Sequence, residues 1–593
     1  MLDPRLYRVA LVPVLVAVLV AAFSLENRPR PIGTTLAPDA FQGPRATQTL
    51  DDLAEAFPQR APGDAADEQL ARRIARTLRD DLSGATVRLE QDRGRTVDGR
   101  RDLTTVVATR PGRPGPGIVV VAHRDAQGRG ARAELSGTAA MLELARVTSE
   151  ARLRRTITFV STSGGSAGAA GAARLATRLS RSGTQAVLVL GDLAGERVRK
   201  PLVVGWSSGR GQAPLQIRRT VEAAVRAEAR TEPGGPRAVT QWARLALPIT
   251  PGEQGPLVEQ GLPAVLVSVS GERGPEADAP LAEGRLETFG RAMLRAITAL
   301  DNAPDLRDAP TAALVTQRKV LPAWAVRLLV GALLLPPLLV AVDGLARLRR
   351  RREPVGPYLR WVLLTAVPFA VTALMALLLG RTGLAGGAPP SAPPATGLDV
   401  DGTALGTMAA LALVLALGFL ALRPVLLRAA MAKPRGDELG APGAAMAVLL
   451  VSCAVTVAVW VVNPHAAALL VPALHLWLFV LSPGLPLRGA LGAGLVVLSL
   501  LPVLAVWAVN ASALGLDLGQ TAWLAVLLVA GGQLSVATWL LWSVVGACAV
   551  CALVVAARRP PPEPGTPDAV TVRGPLSYAG PGSLGGTDSA LRR

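Results

Sequence analysis

The sequence has little sulfur, little imidazole and few aromatic rings. Among 593 residues there are three cysteines, three histidines and 4% aromatic residues, and only 18% carry charge. All three cysteines (Cys453, Cys548 and Cys551) fall in apolar runs. The stretch 24–320 therefore has none, which excludes a disulfide scaffold there. No basic stripe with interleaved aromatics is present, so a nucleic-acid partner is excluded as well. The shortage of charge beside 50% hydrophobic residues excludes wholesale disorder. What is present is apolar length. A mean hydropathy of +0.37 is too high for a purely soluble enzyme of this size and implies membrane spans.

The net charge of +18 is spread unevenly. Residues 24–320 hold 42 Lys and Arg against 33 Asp and Glu and read as a water-soluble domain. A basic start with Arg5 and Arg8, followed by the apolar run 9–23, reads as an N-terminal signal anchor within 1–30. Further apolar runs lie near 322–342, 358–380, 403–422, 443–462, 466–482, 489–508 and 535–557. Each is about long enough to cross a bilayer, giving about eight spans. The shorter run 521–532, broken by Gly531-Gly532-Gln533, reads as a re-entrant or interfacial lead-in, and a ninth span stays open. Arg347, Arg349 to Arg352, Arg360, Arg423, Arg428, Lys433, Arg435, Arg488, Arg558 and Arg559 occupy one set of loops. The alternate loops hold only Arg381 as a cation, beside Asp399, Asp401 and Asp517. Cationic loops stay in the cytoplasm. The expectation is a multi-pass plasma-membrane protein with both termini cytoplasmic, residues 24–320 extracytoplasmic, and membrane lipids as partners.

Residues 558–593 are rich in Pro, Gly and Ser and read as a disordered cytoplasmic tail. The segment 383–402 reads as a similarly loose loop. Cys548 and Cys551 have redox-pair spacing, but two small residues at i and i+3 of an apolar helix read as packing. His475 lies mid-span, where a hydrogen-bonded neutral ring is the plain reading and a functional group the alternative.

In the water-soluble part, short aliphatic runs alternate with amphipathic ones. Residues 104–109, 118–122, 156–161, 186–191 and 264–270 read as strands buried on both faces. Residues 68–82, 137–148, 168–179, 215–229 and 281–300 read as helices. This alternation predicts an α/β domain over 40–310 with a mostly parallel sheet between helices. An all-α polytopic domain follows over 320–557. Sites in such sheets form past the C-terminal strand ends. Three ends are informative: His123-Arg124-Asp125, the turn Ser163-Gly164-Gly165-Ser166-Ala167-Gly168, and Asp192 in Gly191-Asp192-Leu193-Ala194-Gly195.

The order of these pieces resembles the zinc aminopeptidase family M28, over about a third of the chain. The strand end His123-Arg124-Asp125 is followed by Gly130-Ala131-Arg132-Ala133-Glu134-Leu135-Ser136-Gly137 and then Met141-Leu142-Glu143-Leu144-Ala145-Arg146. The resemblance implies a hydrolytic zinc site, with His123 and Asp192 at ligand positions and Asp125 orienting His123 from behind the metal. The departures are as informative. The family's bridging aspartate falls on Ala133, its catalytic and ligand glutamates on Gly165 and Ser166, and its late histidine near Gly274. Glu134 is a possible substitute ligand, shifted by one residue. A catalytic zinc normally takes three protein ligands, so His123 and Asp192 read as relics and no cofactor is expected; zinc is the cofactor if the peptidase reading holds. Glu134, Glu253 or Glu276 beside the imidazole, in tetrahedral array around a vacant cavity, would overturn this. In plainer terms, His123 is a hydrogen-bonded core residue and Asp192 caps a turn.

The leading functional expectation is a catalytically inactive peptidase-like domain used for binding or assembly, with a peptide, a lipid or a membrane protein as partner. One N-terminal span, an M28-like exterior domain and about seven later spans are similar in architecture to the M28-like subunit of GPI transamidase. The first alternative is an active zinc-dependent M28 aminopeptidase or hydrolase at the membrane. The second is a serine hydrolase using Ser166, since Gly164-Gly165-Ser166-Ala167-Gly168 has the spacing of a nucleophile elbow. Active transport by the spans is a third, with sparse support from Asp343, Asn463, His465, His475 and Asn510.

Overall fold

The computed structural model describes residues 4–128, 132–151, 153–235, 237–306, 309–430, 442–482, 487 and 489–558. Lys433, Arg435, Arg488, Gly130, Ala131 and the expected tail (apart from the backbone of Arg558) lie outside them. The first helix, α1 (Pro4–Phe23), leads into β1 (Glu26–Asn27). Then come α2 (Gly43–Ala56), α3 (Ala65–Asp81), β2 (Thr86–Thr96), β3 (Gly99–Arg110), β4 (Arg113–His123), α4 (Arg132–Glu150), β5 (Arg155–Thr162), α5 (Ala170–Arg178), β6 (Thr184–Leu190) and β7 (Val203–Val204). The α/β part closes with α6 (Leu215–Ala229), α7 (Ala238–Ala246), α8 (Gln254–Glu259), β8 (Ala264–Val267) and α9 (Arg285–Asn302). β9 (Leu314–Val315) and β10 (Lys319–Leu321) join β1 in a small antiparallel sheet at the exit of α1.

The main sheet has seven strands in the order β2-β3-β5-β4-β6-β8-β7. The central pairings β5–β4, β4–β6 and β6–β8 are parallel; β2–β3, β3–β5 and β8–β7 are antiparallel. The sheet is therefore mixed rather than mostly parallel. The reason is the long hairpin from β2 to β3, whose polar outer strand showed no aliphatic run. Every residue of β6 is buried, as its unbroken aliphatic sequence requires. The chain moves one way from β4 to β5 and the other way from β5 to β6. Right-handed crossovers then place α4 and α5 on opposite faces. Ser136-Gly137 fits this packing closely: a Cβ on Gly137 would stand 2.4 Å from the Leu190 carbonyl oxygen.

Beyond the sheet the chain is helical: α10 (Ala323–Arg350), α11 (Gly356–Thr382), α12 (Gly402–Leu417), a π turn over Gly418–Leu422, α13 (Arg423–Ala429), α14 (Pro442–Val462), α15 (Pro464–Val480), α16 (Gly489–Leu498), α17 (Leu501–Leu514), α18 (Leu518–Ala530) and α19 (Val536–Arg558). Among the described residues six helices are long and apolar enough to cross a membrane, or seven if the bent pair α16–α17 is one span. The expected eight are not reached, for two local reasons. Asn463 caps a new helix by accepting from the His465 and Ala466 amides, which leaves α15 at 17 residues. Pro502 in the first turn of α17 starts a second helix, and α16 and α17 meet at a 40° bend.

Cys548 and Cys551 are fully buried in the apolar bundle core, as packing requires. His475 Nδ1 lies 2.6 Å from the Tyr7 hydroxyl and Nε2 lies 3.0 Å from the Leu333 carbonyl oxygen, so α1 is tied to α15 and α10. The segment 383–402 is not loose. Ala385, Ala388, Ser391, Ala392 and Leu398 are buried, and Leu398 joins Ile249 and α18 in one apolar cluster.

Candidate functional site

The C-terminal edge of the parallel strands carries the candidate residues. β4 ends on His123, β5 ends on Thr162 and runs into the glycine turn, and Asp192 follows β6 by two residues. Thr138, on the first turns of α4, donates to the His123 carbonyl oxygen at 2.8 Å and fixes the strand end.

His123 is 18% exposed, and its Nδ1 lies 3.7 Å from Glu253 Oε2. Glu253 comes from the start of α8, is 3% exposed, and accepts a hydrogen bond from Thr162 Oγ1 at 2.6 Å. Burial by itself would lower the imidazole's pKa. The adjoining Glu253 carboxylate, reinforced by Asp125 and Glu134, prevails and lifts it to about 9. The ring is therefore a cation at neutral pH. Glu134, on the first turn of α4, faces Arg60 Nη2 at 3.7 Å. Burial raises its pKa to about 7, against the pull of His123 and Arg60 and with a push from Asp125 and Asp192.

Arg60 has no exposed surface. Its Nε donates to the Arg124 carbonyl oxygen at 3.0 Å and its Nη1 to that of Phe57 at 3.3 Å. Burial lowers its pKa, while Glu134, Asp125 and Asp67 act the other way. Arg124 is equally buried: it pairs with Asp67 at 2.8 Å and donates to the Thr104 carbonyl oxygen at 2.7 Å. It holds β4 to its neighbours rather than facing the site.

The two remaining carboxylates are occupied by the protein itself. Asp125 accepts from the Gly165 and Ser166 amides at 2.9 and 3.0 Å, and from Ser166 Oγ at 2.6 Å. Asp192 accepts from the Ala194 and Gly195 amides at 3.0 and 2.7 Å, and from Ser270 Oγ at 2.8 Å. Burial raises the Asp192 pKa against these hydrogen bonds. The Ser166 hydroxyl thus donates to a carboxylate, and Ser166 is 4% exposed. In the serine-hydrolase arrangement an imidazole takes that proton, whereas Ser166 is hydrogen-bonded to a carboxylate that also holds two backbone amides.

Zinc needs at least three converging donors. Among the described residues no group of three or more His, Cys, Asp or Glu is arranged to hold a metal ion. The cause is visible in each partner: Glu253 faces an imidazole, Glu134 faces a guanidinium, and Asp125 and Asp192 face amide and hydroxyl donors. The residues present do not fit zinc. Of the glutamates that might have surrounded the imidazole, Glu253 and Glu134 do flank it. Glu276 is on the surface, 53% exposed, paired with Arg197 and Arg199 at 3.0 and 2.7 Å. Gly165 leaves no room for a side chain, since a Cβ there would stand 2.5 Å from His123 Cβ and Cγ.

Sequence reasoning missed Arg60 altogether and weighed Glu253 only as a possible disturbance. Glu253 carried a weak signal, a carboxylate just after Pro251-Gly252 at a helix start. Arg60, in the loop between α2 and α3, carried none.

Residues 105–239 match peptidase family M28. No curated protein sequence matches. Among solved structures the chain is similar to the Legionella pneumophila LapA aminopeptidase, at 14% identity, covering 45% of this chain and 73% of that one with a TM-score of 0.37. It is also similar to Porphyromonas gingivalis glutaminyl cyclase, at 17% identity, 44% and 98% coverage and a TM-score of 0.32. BSAP, a zinc aminopeptidase from Bacillus subtilis, is a third, at 14% identity, 45% and 98% coverage and a TM-score of 0.32. The protein has an M28 peptidase-like segment inside a mixed α/β domain, joined to a bundle of apolar helices.

Proposed function

We propose that this chain is a multi-pass plasma-membrane protein whose M28 peptidase-like domain is catalytically inactive and serves binding or assembly at the outer face. The observation that supports it most is the pairing of the site's carboxylates. Each is matched to a protein donor or cation, and a buried guanidinium stands opposite Glu134. Asp125 and Asp192 are held by neutral amide and hydroxyl donors, and Glu134 and Glu253 face a guanidinium and an imidazole, so each carboxylate already has a protein partner where a hydrolytic metal would need it free. The arginine-rich loops support placing both termini in the cytoplasm and the α/β domain outside.

Metal analysis of the full-length protein in detergent tests the reading. Less than a tenth of an equivalent of zinc is expected, with no hydrolysis of aminoacyl p-nitroanilides. Stoichiometric zinc that disappears in His123→Ala would establish the active zinc hydrolase instead. Labelling of Ser166 by a fluorophosphonate probe would establish the serine hydrolase.

A further inference from the structure

Three arginines meet where the α/β domain touches the end of a membrane helix. Arg95 and Arg100 flank the β2–β3 hairpin, and Arg381 is in the last turn of α11. With Gly99, Gly380, Gly383, Gly386, Gly387 and Ala388 they line a cavity of about 270 Å³. Its walls are fixed. Arg95 Nη2 donates to the Gly531 carbonyl oxygen at 2.8 Å. A Cβ on Gly387 would stand 1.9 Å from the Val97 carbonyl oxygen, so hairpin and loop meet backbone to backbone. Gly383 and Gly386, at φ of +82° and +72°, turn the loop around the cavity.

The charge in this cavity is unbalanced. Arg100 and Arg381 form no ion pair among the described residues. Asp98, exposed in the same hairpin turn, pairs with none of the three. Burial lowers the pKa of Arg95, and each charge that acts on it, from Arg100, Arg381 and Arg174, is positive and lowers it further. Like charges gathered in a part-buried cavity cost free energy unless a counter-charge enters. Arg381 is also the only cation in the loops expected outside the membrane, so its place here is not one of many.

We propose that this cavity binds a phosphate-bearing anion. Planar guanidinium groups lining one cavity among glycines suit phosphate oxygens better than a single carboxylate. The end of a membrane helix is where lipid phosphates lie. The shared chemistry is therefore a phosphate group, supplied either by a phospholipid headgroup or by a soluble phosphate.

The test uses the full-length protein. Native mass spectrometry reads lipid retained from nanodiscs of phosphatidylcholine alone or mixed with phosphatidylglycerol. Calorimetry in neutral detergent reads inorganic phosphate binding. Arg100→Gln, Arg381→Gln and their combination are compared with wild type, and Arg93→Gln, whose residue pairs with Asp102 instead, is the control. Affinity should fall roughly fivefold for each arginine removed. Selective retention of phosphatidylglycerol that the variants lose supports the headgroup source. Saturable inorganic phosphate binding that they weaken supports the soluble source. Absence of both, or binding that the combined variant leaves unchanged, overturns the proposal. The exposed positions of Arg100 and Arg381 let the single variants stand in should the combined one misfold.

Discussion

Removing the buried guanidinium is the sharpest perturbation of the site. In Arg60→Met, the Arg124 and Phe57 carbonyl oxygens lose their donors and Glu134 loses the cation at 3.7 Å. Removing one partner of a buried charge pair costs about 3–5 kcal/mol. For a domain of this size that corresponds to a fall in Tm of roughly 10 °C. The loss must also depend on pH. Glu134 titrates near 7 in the fold against 4.5 in the unfolded chain, so the fold prefers its neutral form. Its contribution is most favourable below about 4.5 and is lost as pH rises through about 7. Without Arg60 the folded pKa climbs further and the loss continues to higher pH. The deficit of the variant should therefore be greater at pH 8 than at pH 5.5, by about 1–3 kcal/mol. Thermal unfolding of the full-length protein, followed by size-exclusion chromatography after heating, reads both quantities. An equal deficit at the two pH values, or one below about 1 kcal/mol, would refute the Arg60–Glu134 pairing.

The His123–Glu253 pair contributes stability that is fully present below 6.5 and disappears as pH rises through about 9, a loss of up to about 3 kcal/mol that Glu253→Gln should flatten in a Tm-against-pH series. Gly165→Glu, which adds an acid beside His123, should lower stability by about 1–3 kcal/mol because its Cβ meets the imidazole, and should recruit no zinc by metal analysis. Gln127→Cys with Gly397→Cys should form a disulfide under mild oxidation, seen as a gel shift reversed by reductant. A Cβ on Gly397 stands 3.6 Å from Gln127 Cγ, and the native cysteines are buried in the bundle.

The parts of the fold that were legible are those whose sequence carries one dominant signal. The fully buried β6 shows as an unbroken aliphatic run, and Ser136-Gly137 shows where α4 must approach the end of β6. β2 was not legible, because an edge strand of alternating exposure and many charges looks like a loop. The bundle was read as about eight spans where six or seven helices are long enough, because composition alone reveals neither the Asn463 cap that shortens α15 nor the bend between α16 and α17. His123 ends β4 and Asp192 follows β6 by two residues, as their sequence context suggested. Arg60 was not legible, because its role comes from a loop folding back on a strand 64 residues away, and no spacing rule encodes that contact.

The same logic bears on the segment 383–402. Its Pro and Gly content reads as a loose linker only if nothing packs on it. In the structure Pro389 and Ser391 press on Gly168, and Gly397 lies against the Ser166 carbonyl oxygen. Trp242 donates to the His465 carbonyl oxygen, Asn463 donates to that of Leu245, and Arg273 reaches the carbonyl of Ala513. The α/β domain thus meets its own bundle through the glycine turn beside His123 and through α7. In an open α/β sheet the loops past the C-terminal strand ends are where a ligand would enter. Here a loop between two membrane helices rests on the glycine turn that follows β5. Assembly with the membrane part and access to the strand ends therefore compete for one surface, and the buried prolines and alanines of 383–402 favour assembly.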